Sequence, residues 1–82
     1  GRRVQFELVR TDGSKVPLGA SVEDEQGRAL AVVDPGSQAL VLSEQDAGSL
    51  WVRWSDQRCQ ATFSLPPRDP SRAYERIRVI CR

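Results

Sequence analysis

The chain has 82 residues, of which 39% are hydrophobic and 28% are charged. This composition is typical of one small folded domain spanning residues 1–82 and excludes a disordered segment. The formal net charge of +1 gives no reason to expect a nucleic-acid partner, and no apolar run approaches the ~20 residues of a membrane-spanning helix. Because an initiator methionine and a leader are both missing, we expect a piece of a longer or processed protein.

Short turn motifs recur along the chain and divide it into short runs. These motifs are TDGS at 11–14, EQGR at 25–28, DPGS at 34–37 and DAGS at 46–49. Glycine accepts a positive φ and proline presets the backbone of a turn, so such motifs mark chain reversals. Short strands separated in this way are typical of all-β folds. We predict a small antiparallel β-sandwich of about seven strands.

The first four runs support this prediction through their pattern of apolar residues. Period-two alternation indicates a strand with one buried face. In the first two runs the predicted inward residues are Val4, Phe6 and Leu8, followed by Val16, Leu18, Ala20 and Val22. The third and fourth runs, 29–33 and 38–42, are apolar on both sides. They suit strands that are covered on both faces or that present one face to a partner.

The remaining runs are 50–55, 59–65 and 74–81, with PPRDPSR interrupting the pattern before the last. Proline cannot donate to a strand ladder, so this segment is predicted to be a loop. The last segment could open as a helix capped by Ser71, but its final alternating residues favour a strand. In the fifth run Leu50, Val52 and Trp54 share one face, so Trp54 is predicted to be buried and Trp51 at least partly exposed.

The sequence is poor in catalytic and metal-binding residues. It contains no histidine, which excludes a Ser-His-Asp or Cys-His arrangement, and its two cysteines are fewer than the about four ligands of a typical zinc site. No glycine-rich phosphate loop is present, so we predict no cofactor, no metal and no enzymatic activity. Cys59 and Cys81 lie 81 − 59 = 22 positions apart on predicted inward faces. Three states are open to this pair: a disulfide, two inert buried thiols, or a reactive thiol. The disulfide is favoured.

Four motifs, taken in order, resemble the C-terminal domain of outer-membrane fimbrial ushers of the chaperone–usher pilus pathway. They are PLGASV at 17–22, LWVRW at 50–54, Cys59 followed by LPP at 65–67, and the terminal CR at 81–82. The resemblance covers residues 16–82. It implies a small β-sandwich with a disulfide on the periplasmic side of the bacterial outer membrane. It also implies a noncatalytic docking module that binds periplasmic chaperone–subunit complexes and adjoins other usher domains.

A handover site should bind reversibly, which favours a modest apolar patch with a polar rim. The candidates for protein binding are Trp51, Ile80 and Val9, with Arg53 and Arg78 at the rim. An exposed sheet edge is a second possibility because the pathway works through strand addition, but edge strands are normally blunted. The alternative function is a purely structural or spacer sandwich of a periplasmic or extracellular protein.

Overall fold

The computed structural model describes all 82 residues and contains seven β-strands and no helix, which confirms the predicted all-β sandwich. The strands are β1 (Arg2–Arg10), β2 (Ser21–Glu23), β3 (Ala29–Val32), β4 (Gln38–Ser43), β5 (Ala47–Trp54), β6 (Gln57–Ser64) and β7 (Glu75–Cys81). The final segment is therefore a strand, and its helical alternative is wrong.

The strands form two sheets. The three-stranded sheet has the order β4-β1-β7, and the four-stranded sheet has the order β3-β2-β5-β6. All neighbouring pairs are antiparallel except β1 and β7, the first and last strands, which run parallel. The predicted sandwich was antiparallel, so this one parallel pair was not expected. Alternation in the sequence shows which residues of a strand face inward, but it does not show which strand lies beside it or in which direction that strand runs.

The core lies between the two sheets and is formed by the predicted inward residues of β1 together with those of the other strands. Phe6 is fully buried at its centre, and its ring meets that of Phe63 edge to face, with centroids 5.1 Å apart. Small aliphatic side chains surround this pair, so the core is thin and depends on a few large residues. The other fully buried large side chains are Leu8, Val4, Val16, Val22, Val33, Val41, Val52 and Cys81.

Two local predictions are wrong. Leu18 was expected to face inward but is 68% exposed. Pro17 and Gly19 interrupt the run, and the positive φ of 89° at Gly19 turns the chain before β2 begins at Ser21. The DAGS motif was expected to be a turn, but β5 begins at Ala47. The chain bends instead at residues 44–46, between β4 and β5, where the Ser43 hydroxyl donates to the carbonyl of Gln45.

A buried serine holds the segment between β3 and β4 against the rest of the fold. The Ser37 hydroxyl donates to the Leu8 carbonyl at 2.6 Å and accepts the Val16 N–H at 2.8 Å. Ser37 itself adopts a φ of 63°, a conformation that costs energy for a residue other than glycine. These two hydrogen bonds satisfy backbone groups that water cannot reach.

The disulfide between Cys59 and Cys81 is confirmed, and it joins β6 and β7, which are edge strands of different sheets. Both residues are buried. Immediately beside the bridge, Gln60 and Arg82 exchange two backbone hydrogen bonds of 2.8 and 2.9 Å. The covalent bond and this backbone pair together close one side of the sandwich.

Candidate protein-binding surfaces

The outward face of the three-stranded sheet presents rows of side chains that run across β4, β1 and β7. The strand register pairs Leu42 with Arg3 and Leu40 with Gln5 on β4 and β1. On the other side of β1 it pairs Val9 with Ile80. Register partners lie on the same side of a sheet, so these residues form one continuous surface.

Two apolar pairs occupy opposite corners of this surface. The leucine pair, Leu40 and Leu42, is exposed at 55% and 59%, and Ile80 is exposed at 41% beside half-buried Val9. A polar row separates the pairs, in which Glu7 lies 3.8 Å from the guanidinium of Arg78. An apolar cluster surrounded by polar side chains is a common form of protein-binding surface, and the leucine pair is the more exposed of the two.

The outward face of the four-stranded sheet carries Trp51 and Arg53. Trp51 is half-buried, and the guanidinium of Arg58 lies 4.7 Å from the centroid of its ring. Arg53 lies 3.4 Å from a carboxylate oxygen of Glu23. Neighbouring polar side chains on this sheet therefore already contact both residues.

The structure thus divides the predicted contact residues between two opposite faces. Val9, Ile80 and Arg78 lie on the three-stranded sheet, whereas Trp51 and Arg53 lie on the four-stranded sheet. A single flat contact cannot include all five. Sequence reasoning missed the leucine pair as binding candidates because its run is apolar on both sides. The signal in the sequence was alternation along β4. Ala39 and Val41 are buried, so the leucines between and beside them point outward.

Trp54 lies on the predicted inward face but is only half-buried, not fully buried as expected. It is the last residue of β5 and packs against the edge of the core. The guanidinium of Arg10 covers its ring at 5.0 Å from the centroid. Trp54 therefore closes one end of the sandwich.

Several charged side chains on the surface stabilise turns through hydrogen bonds. Three aspartates in turns have a lowered pKa: Asp12, Asp24 and Asp69. For Asp12 and Asp69 the largest cause is a hydrogen bond from the serine hydroxyl two residues later, and for Asp24 it is the backbone N–H of Arg28. No group of three or more acidic or cysteine side chains is placed to hold a metal ion. None of the secondary structure is a long apolar helix of the kind that crosses a bilayer.

The sequence matches known proteins over most of its length. The family model of the PapC C-terminal domain matches residues 5–67. The chain is 32% identical over 71 residues to the outer membrane usher protein HtrE of Escherichia coli (strain K12). It is 30% identical over 71 residues to the probable outer membrane usher protein LpfC' of Escherichia coli O157:H7. These matches cover 82% and 79% of this chain but only 8% and 15% of those proteins, so the chain spans a small part of each relative.

Solved structures share the fold. The crystal structure of the C-terminal domain of the PapC usher has a TM-score of 0.79 and 28% identity, with 98% of each chain covered. The Caf1A usher C-terminal domain has a TM-score of 0.86 and 24% identity, with 96% and 94% covered. In that protein, conserved hydrophobic clusters on the surface are important for F1 antigen assembly. PapC in a P pilus tip assembly intermediate with PapD, PapK and PapG matches 99% of this chain with 10% of its own length, at a TM-score of 0.78 and 26% identity.

Sequence and structure agree on the family. The family model covers most of the chain, and the PapC domain matches it almost end to end. The disulfide and the two-sheet arrangement are those that the resemblance to fimbrial ushers implied. The chain therefore belongs to the PapC C-terminal domain family of outer membrane ushers.

Proposed function

We propose that this chain is a periplasmic C-terminal docking domain of a larger fimbrial usher, in which residues 1–82 form one folded unit. It binds chaperone–subunit complexes during pilus assembly and secretion across the outer membrane. The observation that carries this proposal is the match of nearly the whole chain to PapC within a pilus assembly intermediate. The role is noncatalytic, which agrees with a sequence that lacks histidine.

The outward face of the three-stranded sheet is the docking surface that we propose. The leucine pair is its main anchor, and the Val9–Ile80 pair with Arg78 is a second, smaller one. Fully burying a leucine side chain contributes about 1.5–3 kcal/mol, so burying the exposed half of each leucine contributes roughly 1–1.5 kcal/mol. This modest gain suits a surface that must bind and then release its partner.

Trp51 and Arg53 form a second candidate contact on the opposite face. Their own neighbours already contact them, so less apolar surface is left for a partner than at the leucine pair. We therefore propose that they contribute less to docking. A strong effect of Trp51→Ala on binding would reverse this order.

The test is the affinity of the purified 82-residue chain for chaperone–subunit complexes, measured by biolayer interferometry. The double variant Leu40→Thr/Leu42→Thr should weaken binding by about 30-fold or more, because roughly 2–3 kcal/mol of burial is lost. Threonine retains strand propensity, so the fold should persist. Val32→Thr is the matched control, since Val32 is 64% exposed on the outward face of the other sheet.

The outcomes separate the hypotheses. If the wild-type chain binds no complex, the spacer function is favoured and our proposal is wrong. If the chain binds but the double leucine variant binds equally well, docking stands and the assigned surface is wrong. Ile80→Thr then tests the second anchor in the same assay, with an expected loss of only about fivefold because Ile80 is less exposed.

A further inference from the structure

A groove opens between the two sheets beside the leucine pair. β3 and β4 are neighbouring edges of different sheets, and a short turn joins them at one end. At their other end the sheets part and leave a groove of about 260 Å³. Its floor consists of inward-facing core side chains: Leu30, Val41, Leu50 and Phe63. Of these, Leu30 and Phe63 remain partly exposed.

Two local features keep the groove open. The register between β2 and β3 shifts between Val22 and Glu23, so β3 does not continue as a regular edge here. Gly48 is the register partner of Phe63 and has no side chain to cover its ring. A Cβ atom at Gly48 would lie 3.6 Å from Cζ of Phe63 and 3.1 Å from Oε1 of Gln45. A single methyl group at Gly48 would therefore narrow the groove directly over its aromatic floor.

The rim of the groove is acidic. Glu25 and Glu44 line it, and neither forms an ion pair or a side-chain hydrogen bond within the chain. Asp24 and Arg28 also line the groove, but they pair with each other, since a carboxylate oxygen of Asp24 lies 3.3 Å from Nε of Arg28. Asp24 also accepts N–H groups of the adjoining turn. Two negative charges at an apolar opening thus remain uncompensated.

We propose that this groove receives one apolar side chain from a segment of the chaperone–subunit complex that carries lysine or arginine beside that side chain. The volume is below the roughly 300–1,000 Å³ of small-molecule sites, so a single protein side chain suits it better. The acidic rim attracts the adjacent cation. Leu42 lines the groove and also belongs to the outward face of the three-stranded sheet, so one partner contacts both. This inference rests on the docking function proposed above.

The first test is Gly48→Ala in the same binding assay. Gly48 lies in a strand without a positive φ, so alanine fits the backbone, and the flexible end of Gln45 can move aside. We expect about a tenfold loss of affinity with unchanged thermal unfolding, because overfilling an apolar site is unfavourable. Gly36→Ala is the matched control, since Gly36 lies in the turn beyond the far end of β4 and its Cβ would contact only Asp34 at 3.4 Å.

The second test concerns the rim and does not depend on the glycine. The double variant Glu25→Gln/Glu44→Gln should slow association about threefold to tenfold at low salt and flatten its dependence on salt. Asp56→Asn is the control, because Asp56 lies in the turn between β5 and β6, at the other end of β5 from Gly48. A wild-type chain that binds no complex would overturn both the docking function and this inference. Groove variants that bind like wild type, while the leucine variant loses binding, would overturn the groove alone.

Discussion

Opening the disulfide between Cys59 and Cys81 should remove a large share of the stability of this chain. The bridge spans 22 positions. In the chain-entropy treatment, closing a loop of this length lowers the entropy of the unfolded chain by an amount worth about 3.4 kcal/mol at 25 °C. An 82-residue domain has a total stability of roughly 4–12 kcal/mol. Reduction should therefore lower the midpoint of thermal unfolding by about 14–27 °C.

The assay is urea unfolding followed by tryptophan fluorescence, with the oxidised and reduced wild-type chains compared at equal concentration. The variant Cys59→Ala/Cys81→Ala serves as the control, because its unfolding curve should not respond to reductant. It should be less stable than the reduced wild type, since both positions are buried and alanine leaves small cavities. The urea slope should rise on reduction because the unfolded chain then exposes more surface.

One result would refute this reasoning. If oxidised and reduced chains differ by less than about 1 kcal/mol in unfolding free energy, the bridge does not limit the unfolded state as the treatment requires. The backbone pair between Gln60 and Arg82 would then hold the two last strands together without the bridge.

Three further predictions concern stability. Ser37→Ala should cost about 1–3 kcal/mol in the free energy of unfolding, because it leaves the Leu8 carbonyl and the Val16 N–H buried without partners; an unchanged urea midpoint would contradict this. Phe6→Ala should cost about 3–5 kcal/mol in the same measurement and bring the chain close to unfolding. The free energy of unfolding should also fall as the pH drops below 3.8, because the pKa of three turn aspartates is lower in the folded chain than in the unfolded chain. Such a carboxyl stabilises the fold above its unfolded pKa, and this contribution is lost as the pH falls through the folded pKa. Urea midpoints at pH 5, 4, 3 and 2 check this, and a flat profile would show that the turn hydrogen bonds contribute nothing. The groups concerned are Asp12, Asp24 and Asp69.

Much of the fold could be predicted from local patterns. Alternation in β1 identifies Val4, Phe6 and Leu8 as core residues, and the structure buries all three. The predicted segment 16–22 failed at Leu18, because the φ preferences of single residues override an apolar pattern. Strand boundaries shifted by a few residues for the same reason, since turns depend on individual hydrogen bonds such as that of Ser43.

The candidate site was much less predictable. Alternation correctly put Trp51 and Trp54 on opposite faces. How far each ring is buried depended on side chains from other strands, and both rings are half-buried. Arg10 and Arg58 come from other strands and cover the two rings. Arg10 is far from Trp54 in the sequence, so no local pattern contains that contact. Arg58 reaches Trp51 across the β5–β6 hairpin, and that contact depends on the register of the two strands.

The sequence by itself determined the all-β class and the inward face of most strands, because these follow from period-two alternation and composition. It favoured a disulfide between its two cysteines, and the structure decided that they are bonded. Only the tertiary structure decided which outward residues are neighbours. It separated Trp51 from Ile80, put Leu40 and Leu42 on one exposed face and opened the groove beside them. The physical reason is that a strand fixes the direction of its own side chains, whereas strand order and register fix the surface that several strands share.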